Sequence, residues 1–526
     1  MSIKLDNEQI NVVQHTNGKI AVVAAPGSGK TRTLVERTKY IVKNKLADFS
    51  EILLITFTEK AKLEIIERFE HDGFKPEIDT FHSLAYKSIS LYNSKLRKEK
   101  INIMNSSEES LIEKLSKFIA TSYDEYLNSK INIKNEYNLY SFDDLLIKFK
   151  ELLINDKKNL SNIEKIKYVM VDECQDLDTL QYEIINLINC KNLMLIGDLN
   201  QSIYGWRGAK LELFKNYYYN CDKCYNLINN YRSGKEIIDI SNNLIRNNFD
   251  RVDVEVNVTS QSHSFSKKEE FASTEEQNEW IIDNIKNLTQ KNIKIAIILR
   301  CDYQKESLVT SLQLNNFKYN ILTNKYEELN DVISIFKALN GNKLALYQIA
   351  QRLNLEIKKV NLNIIEDDNL IYLSDEINKI SNKQIDIIDK IYEVLNKLNF
   401  YYLVYKSNPE SKIIISKILD IAKNKLIKQK RKYEDFGYIL STLTINSLVL
   451  NNEENNKDYT IDIMTIHSSK GLEYDYVFIP DVNDNLLPHK KGVLEEERRL
   501  FYVGITRAKT GVFISSIKKS SFLEEI

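Results

Sequence analysis

The chain has 526 residues, of which 43% are hydrophobic and 28% charged, and its formal net charge is −1. This composition is typical of a globular protein of roughly three to four domains, and it excludes a nucleic-acid binder that relies on overall basicity. Five cysteines are too few for a disulfide framework, and no apolar run has the length of a signal peptide or a membrane span, so we expect a cytoplasmic protein.

The first segment with a chemical signature is a glycine-containing loop between a predicted strand and a predicted helix. The apolar run 20–24 predicts a buried strand, residues 32–42 predict a helix, and the loop 24–31 between them reads AAPGSGKT. Gly27 and Gly29 allow backbone N–H groups to approach a phosphate. The ammonium of Lys30 can reach the β- and γ-phosphates, and the hydroxyl of Thr31 can bind Mg²⁺. The phosphate-loop pattern has glycine where this chain has Ala24, and an ordinary glycine-rich turn is the alternative interpretation.

Two stretches, roughly 88–163 and 341–455, are nearly free of glycine and proline and show leucine and isoleucine at helical spacing. They predict helical insertions between α/β cores. The alternative is that they are helical hairpins with only a structural role. The second stretch contains a basic run, 423–432, which either contacts duplex DNA or forms a solvated face.

Two further apolar strands run directly into polar residues. The segment YVMVDECQD, 168–176, carries Asp172, which is placed to hold Mg²⁺ through water, and Glu173, which can orient and deprotonate a water molecule. The strand 192–196 runs into a segment in which Gln201 can hydrogen-bond a terminal phosphate. Together with the phosphate loop, these strand ends predict nucleotide hydrolysis.

Aromatic and basic residues follow Gln201 at close spacing. Tyr204, Trp206 and Arg207 lie within four positions, and aromatics beside arginine suit stacking on unpaired bases. The alternative is that Trp206 packs in a core and Arg207 pairs with a carboxylate. Further along, Cys221 and Cys224 form a CxxC pair without a second pair nearby, so we expect reduced thiols rather than a metal site.

The remaining signature segments are LDNEQ at 5–9, TFTEKAKLEIIERF at 56–69, TFHSLA at 80–85, SFDDLL at 141–146, LINNYRSGKEI at 227–237, IDIMTIHSSKGLEYDYVFIP at 461–480 and EEERRLFYVGITRAK at 495–509. In this order, and together with the segments above, they resemble the motifs of superfamily 1 DNA helicases of the UvrD/Rep/PcrA type. The resemblance covers nearly the whole chain. It implies a motor that uses ATP and Mg²⁺ and acts on single-stranded DNA and on junctions of single- and double-stranded DNA.

The resemblance also implies roles for individual residues. The residues implied to bind the nucleotide are Gln9, Ala24, Ala25, Pro26, Gly27, Ser28, Gly29, Lys30, Thr31, Arg32, Tyr231 and Glu473. Those implied to act in hydrolysis are Lys30, Asp172, Glu173, Gln201, Arg232 and Arg507, with Thr31 and Asp172 as the metal ligands. Those implied to contact DNA are Phe57, Thr80, His82, Tyr204, Trp206, Arg207, Thr465 and His467. Gln9 would meet the adenine edge, Tyr231 would stack on adenine and Glu473 would contact the ribose.

This sequence departs from the family pattern at several positions. Glu59 stands where asparagine is usual, Lys62 where alanine is usual, and Asp79 and Asp481 where glycine is usual. Glu59 and Asp79 are expected to place acid near the DNA path. The second insertion is also expected to be shortened, and the 19 residues after Arg507 leave no room for a fused nuclease domain in this sequence.

The predicted fold is α/β, with two RecA-like P-loop NTPase domains built on parallel sheets, each with a helical insertion. The first domain is assigned to 1–87 and 164–213, its insertion to 88–163, the second domain to 214–340 and 456–526, and the second insertion to 341–455. The predicted function is a helicase that moves 3′-to-5′ on single-stranded DNA, in repair or replication restart. The alternatives are a helicase subunit of a nuclease-containing complex, such as an antiphage defence system, and a scaffold without turnover.

Overall fold

The structure is a computed structural model, which describes residues 5–70, 76–97, 101–104, 106–119, 122–136, 138–249, 251, 255–259, 263–288, 293–322, 327–357, 365, 367–428, 436–441, 443, 459–518 and 520–526. Much of the basic run 423–432 and the side chain of Glu59 lie outside this description.

The described residues contain strands in the following order. They are β1 Lys19–Ala24, β2 Ile52–Thr56, β3 Glu77–Thr80, β4 Asn102–Ile103, β5 Leu139–Tyr140, β6 Tyr168–Val171, β7 Asn192–Gly197, β8 Lys223–Leu227, β9 Asn229–Asn230, β10 Asn257–Val258, β11 Phe265–Glu270, β12 Ile293–Leu299, β13 Asn320–Ile321, β14 Tyr459–Thr465, β15 Tyr474–Ile479 and β16 Ala508–Ser516.

Helices connect these strands. They are α1 Asn7–Gln14, α2 Lys30–Lys43, α3 Glu59–Glu70, α4 Phe81–Lys95, α5 Ser106–Ile119, α6 Tyr123–Glu136, α7 Phe142–Asn155, α8 Ser161–Glu164, α9 Thr179–Ile188, α10 Leu211–Asn220, α11 Lys235–Ile245, α12 Thr274–Leu288, α13 Lys305–Leu314, α14 Glu327–Leu339, α15 Lys343–Arg352, α16 Asp368–Ser381, α17 Ile387–Lys397, α18 Phe400–Leu403, α19 Pro409–Lys428, α20 Phe436–Ser441, α21 Ile466–Ser469, α22 Leu494–Ile505 and α23 Ser521–Glu524. None of the helices in the described ranges has the length and apolar character needed to cross a membrane.

Two six-stranded sheets, all parallel, form the scaffold. The first has the order β3-β2-β6-β7-β1-β8 and the second has the order β11-β16-β15-β12-β14-β13. Central strands such as β2, ILLIT, are buried throughout, as expected when helices cover both faces of a parallel sheet. The predicted class, α/β with two parallel-sheet domains, is confirmed.

Alternating side chains of the second sheet pack into two separate hydrophobic cores, one on each face of the sheet. Ile295 and Ile297 of β12 pack with α12 and α13, whereas Ala296 and Ile298 pack on the other face with α11 and α22. This is the two-residue period of a strand buried on both sides. The same arrangement in the first sheet fixes the carboxyl ends of β1, β2, β3, β6 and β7 along one edge, and these are the strand ends that precede predicted site residues.

Contacts divide the chain into two compact units. One contains both sheets, with residues 1–88, 149–323 and 451–526, and the other contains residues 89–148 and 324–450. The second unit has a hydrophobic core to which both insertions contribute, including Ile112 of the first and Val332 of the second. A buried ion pair between Lys337 and Glu108 also joins the two insertions.

The sheets and the compact units differ from the assigned domain boundaries in more than one place. β8, which was placed in the second domain, pairs in parallel with β1 and completes the first sheet. Its sequence, KCYNL, mixes polar and apolar residues because it is a partly exposed edge strand, so it gave no strand signal. The assigned boundaries also put helix α14 in the second domain, but α14 belongs to the second compact unit, which contains both insertions. The division into four domains remains a proposal, with the first domain continued to residue 227.

Candidate nucleotide site and nucleic-acid interface

The predicted phosphate loop joins β1 to α2 at the carboxyl edge of the first sheet. α2 begins at Lys30, two residues before the predicted start, with Gly29 as its N-cap at φ +82°. Gly27 has φ +66°, and a Cβ atom there would lie 2.7 Å from Cβ of Arg232. Gly27 is therefore required both by its left-handed backbone and by the close approach of the Arg232 segment. The start of a helix at Lys30 favours a bound anion.

The departure at Ala24 has a structural explanation. Ala24 is the last residue of β1 and is in register with Leu227 of β8, so its backbone is extended and does not need glycine. The neighbouring loop is held by its own side chains and by a later segment. Ser28 Oγ donates to the carbonyl oxygen of Ala25 at 2.7 Å, and Asn230 Nδ2 donates to that of Pro26 at 2.7 Å.

Beside the loop lie the residues predicted to contact the adenine base. Gln9 is buried and its Nε2 donates to the carbonyl oxygen of Ser28 at 2.9 Å, which ties α1 to the phosphate loop. The ring of Tyr231 is exposed, as a stacking surface requires. Its hydroxyl donates to Asp6 Oδ2 at 2.6 Å, and Asn229 Nδ2 donates to the same oxygen at 3.0 Å. Asp6, which the sequence did not single out, thus fixes the position of Tyr231.

The predicted acidic residues follow β6. Asp172 is buried, and Glu173 adopts a left-handed backbone with φ +52°. Burial and the neighbouring carboxylate of Glu173 raise the pKa of Asp172 to about 7. Burial would also raise the pKa of Glu173, but the charges of Lys30 and Lys470 outweigh it and lower that pKa overall. Glu173 is therefore kept ionised, as a base must be.

This acidic site fits a divalent cation. Asp172 is joined by Asp198, which follows β7, is buried, and has a pKa raised by that burial. Two buried carboxylates with raised pKa values favour a nearby positive charge. Thr31 and Asp172 are the residues that would hold Mg²⁺, which would supply charge neutralisation of the phosphates.

The residues predicted to sense the γ-phosphate converge from both sheets. Gln201 Nε2 donates to Asp198 Oδ2 at 2.8 Å, and Arg507 Nη2 donates to Gln201 Oε1 at 3.2 Å. Arg507 is buried, and burial followed by the charge of Arg232 lowers its pKa to about 9. It therefore remains protonated at neutral pH. Arg507 also lies close enough to lower the pKa of Glu173, so its charge acts directly on the acidic site.

Arg232 and Glu473 interact with each other. Arg232 Nε donates to Glu473 Oε2 at 2.9 Å, and Lys509 Nζ lies 2.7 Å from Glu473 Oε1. The carboxylate of Glu473, which is predicted to contact the ribose, therefore already pairs with two cationic side chains.

Gln175 is not among the site residues predicted from the sequence, although it lies between Glu173 and Asp176 in DECQD. Its amide nitrogen donates to the Glu173 carboxylate, and its Oε1 accepts from the backbone N–H of Asp198 at 2.9 Å. A Cβ atom at Gly197 would lie 2.4 Å from this Oε1. Gln175 therefore orients the predicted base, and Gly197 makes room for it.

The aromatic residues after Gln201 form a cluster with His467, which we call the aromatic cluster: Tyr204, Trp206, Arg207 and His467. Trp206 is 64% exposed, so the core-packing alternative is wrong. Its ring lies 6.5 Å from that of Tyr204 and 6.0 Å from that of His467, and the Arg207 guanidinium lies 4.7 Å from its centre. Burial and the charge of Arg300 lower the pKa of His467 to about 4, so it is neutral at pH 7.

A second group of predicted DNA-contact residues follows β2 and β3. The rings of Phe57 and Phe81 lie 6.0 Å apart in an edge-to-face arrangement. Thr80 precedes α4 and its Oγ1 accepts from the N–H of Ser83 at 3.2 Å, while His82 is partly buried in the first turn of the helix. Thr465 likewise caps α21, accepting from the N–H of Ser468. Both threonine hydroxyls are therefore already used as helix caps.

The expectation that Asp79 places acid on the DNA path is wrong. Asp79 is buried, and its Oδ1 lies 3.1 Å from Nζ of Lys62 and accepts from Ser83 Oγ at 2.9 Å. The two departures from the family pattern therefore neutralise each other. Asp481 has φ +56°, which explains why glycine is usual there, and its carboxylate accepts from Gln277 and Gln304.

We expect Lys62→Ala and Asp79→Gly each to destabilise the folded protein by about 3–5 kcal/mol, because each removes one member of a buried ion pair while the other charge stays buried. The double variant, which restores the usual family residues, should cost much less than the sum of the single changes. Urea unfolding measures the free energy of unfolding of each variant. Lys87→Ala is the control, because Lys87 lies 3.9 Å from Asp79 but is 33% exposed, and it should cost at most about 1 kcal/mol. Additive single effects would contradict a compensating pair.

The thiols of Cys221 and Cys224 are free, with their sulfur atoms 3.5 Å apart. Within the described part of the chain, no group of three histidine, cysteine or acidic residues could hold a metal ion around them. Reduced thiols rather than a metal site therefore stay a prediction for this pair.

Two helicase family models together match nearly the whole chain. The UvrD/REP helicase N-terminal domain family matches residues 5–132 and 112–222, and the UvrD-like helicase C-terminal domain family matches residues 225–435 and 385–519. A probable DNA helicase II homolog from Rickettsia conorii is 27% identical over 99% of this chain and 94% of its own length. The ATP-dependent DNA helicase Rep of Buchnera aphidicola subsp. Acyrthosiphon pisum is 28% identical over 98% and 95%. The ATP-dependent DNA helicase PcrA of Staphylococcus epidermidis is 25% identical over 97% and 83%.

Proposed function

The chain belongs to the UvrD-like helicases, and on that premise we propose that it is an ATP-dependent DNA helicase that moves 3′-to-5′ on single-stranded DNA and unwinds duplex DNA. The single observation that carries the proposal is the contact between Arg507 and Gln201. It joins an arginine that lies two residues after α22 to a residue that follows β7 of the first sheet. Such a contact is suited to a split site in which bound ATP draws two domains together.

In the proposed mechanism, the start of α2 and Lys30 bind the phosphates, and Thr31 and Asp172 would hold Mg²⁺, which would neutralise phosphate charge. Glu173, oriented by Gln175, accepts a proton from the attacking water. Gln201, Arg232 and Arg507 then stabilise charge on the γ-phosphoryl group as it transfers. Tyr231 and Gln9 position the base, and Glu473 exchanges one of its cationic partners for the ribose.

The proposed output is movement along one DNA strand. Tyr204 and Trp206 follow Gln201 directly, and His467 belongs to the segment after β14 of the second sheet. Opening and closing of the ATP site therefore changes the spacing between His467 of the second sheet and the rings that follow strands of the first sheet, Tyr204, Trp206 and Phe57. Bases stacked on these rings would be advanced by that change. The direction of movement rests on the resemblance to the family, and both this direction and a cytoplasmic location are part of the proposal.

A second candidate is a helicase subunit of a nuclease-containing complex, such as an antiphage defence system. The alignment with the Rickettsia conorii relative spans 615 positions for a chain of 526 residues, so the relative carries segments that this chain lacks. A compact motor of this kind suits a larger assembly. Nuclease activity that co-purifies with the tagged chain would favour this candidate over a role in repair or replication restart.

We expect ATP hydrolysis to rise strongly on addition of single-stranded DNA, and duplexes with a 3′ tail to be unwound in preference to those with a 5′ tail. Trp206→Ala should weaken binding of oligo-dT by on the order of 10- to 100-fold, because one stacking surface is worth about 1–3 kcal/mol. Fluorescence anisotropy measures the affinity. Tyr219→Ala, which removes a ring that is 66% exposed outside the aromatic cluster, is the control and should leave the affinity unchanged. An ATP turnover rate that does not change on addition of single-stranded DNA would contradict the motor function.

A further inference from the structure

Lys470 is a buried cation that the mechanism above does not use. It follows α21, and its side chain is 10% exposed. Its ammonium pairs with Asp176 and donates to the carbonyl oxygen of Gln201 at 2.9 Å. The same ammonium lies 4.0 Å from Glu173 and 5.1 Å from the centre of the Tyr204 ring. One side chain therefore touches the predicted base, the predicted phosphate sensor and the aromatic cluster.

We propose that Lys470 is the positioning residue through which stacking of a DNA base on Tyr204 changes the alignment of Glu173, and that it thereby couples DNA binding to ATP hydrolysis. The inference rests on the proposed function, because it requires a DNA site at the aromatic cluster and a hydrolytic site at Glu173. Lys470 touches neither DNA nor nucleotide in this scheme and acts through the residues that do.

The contacts of the ammonium make it suited to two positions. A buried ammonium must keep a carboxylate partner, and here Asp176 is in contact while Glu173 is within reach. Asp176 is not saturated, because its Oδ1 is buried and has no hydrogen-bond partner among the described residues. Asp176 Oδ1 and the carboxylate of Glu173 are therefore alternative acceptors for the ammonium if it moves.

Tyr204 supplies the link to DNA. A cation beside an aromatic face is attracted to it, but more weakly than to a carboxylate. Tyr204 therefore biases the position of the ammonium without holding it. A base that stacks on Tyr204 and moves its ring would shift this bias, and the shift would be felt at Glu173, whose carboxylate lies 4.0 Å from the ammonium. The connection is a chain of direct contacts between two sites, with one movable cation at its centre.

The test is the ratio of ATP turnover at saturating oligo-dT to turnover without DNA. Lys470→Met should lower this ratio at least five-fold, while the KM for ATP and the affinity for oligo-dT change less than three-fold. A residue with only a structural role would lower both turnover rates in parallel. A ratio that falls less than five-fold would overturn the proposal.

A second pair of variants keeps the test valid if Lys470→Met unfolds because it leaves Asp176 buried and unpaired. Asp176→Asn alone should keep the ratio within three-fold of wild type, because Lys470 retains Gln201, Glu173 and Tyr204. The double variant, Asp176→Asn with Lys470→Met, removes both charges. Its ratio of turnover with oligo-dT to turnover without DNA should be at least five-fold lower than that of Asp176→Asn. Equal ratios in these two variants would overturn the proposal.

Lys39→Met is the matched control, since Lys39 is also a buried lysine with a carboxylate partner, Glu36, at 2.9 Å. It should leave the ratio unchanged. The two hypotheses fail separately. A wild-type protein without stimulation by DNA contradicts the proposed function, whereas a stimulated wild type whose Lys470 variants stay equally stimulated contradicts only the coupling role.

Discussion

Glu173→Gln is expected to lower DNA-stimulated ATP turnover by about 10²- to 10⁴-fold, the range that general-base catalysis contributes. Glutamine has the same shape as glutamate and preserves the amide contact to Gln175, but it cannot accept the proton of the attacking water. Binding of ATP should persist, because Lys30 and the start of α2 are untouched. Steady-state turnover and binding of a fluorescent ATP analogue measure the two effects separately.

The control for this change is Glu183→Gln. Glu183 lies on α9 and pairs with Lys150 at 2.8 Å, with a side chain that is 45% exposed. Loss of this carboxylate should leave turnover within two-fold of wild type. If Glu173→Gln kept more than a tenth of the wild-type rate, another group would have to be the base, and Asp172 or Asp198 would be the next to test.

Local features of the site were predictable because they lie within one short segment. The phosphate loop needs only a strand, two glycines and Lys30, and the acids need only a strand that ends at Asp172. Backbone geometry then determines the rest, since parallel strands end at the same edge of a sheet. These segments could be recognised without knowing how the chain folds between them.

Contacts between distant segments could not be predicted from the residues. Tyr231 and Asp6 are 225 positions apart, and Lys470 and Asp176 are 294 apart. In sequence, Asp6 resembles a helix cap and Lys470 a surface lysine. Asp79 was misjudged for the same reason, because its neutralising partner Lys62 lies on another element. Charge in a sequence does not indicate exposure, and only the fold determines which buried charges meet.

The two insertions show a similar limit at the level of whole elements. Their leucine and isoleucine spacing predicted helices, and α5 and α17 are found where this pattern is clearest. The pattern gives the buried face of each helix but not its partner. That Ile112 and Val332 share one core follows only from the three-dimensional arrangement, and it explains why both insertions belong to one compact unit.

Arg507→Lys is expected to lower ATP turnover by about 10³- to 10⁵-fold, the range attributed to an arginine that stabilises a transferring phosphoryl group. Arg507 is buried and already spans from the carbonyl oxygens of Val503 and Leu472 to Gln201. Lysine keeps the charge but loses the planar fork, so it cannot hold these acceptors and the phosphate together. Single-turnover hydrolysis at saturating ATP measures the chemical step directly.

Arg498→Lys separates this role from a general need for arginine in α22. Arg498 is a buried arginine within α22, whereas Arg507 follows the helix, and Arg498 pairs with Glu525 at 2.7 Å and with Asn248, away from the predicted site. Its replacement should lower the thermal stability while hydrolysis by the folded protein stays within a few-fold of wild type. If the two variants lost turnover equally, the effect would belong to the packing of α22. If only Arg507→Lys lost it, charge on the γ-phosphoryl group would be stabilised from the second sheet, and hydrolysis would depend on closure of the two parts of the site.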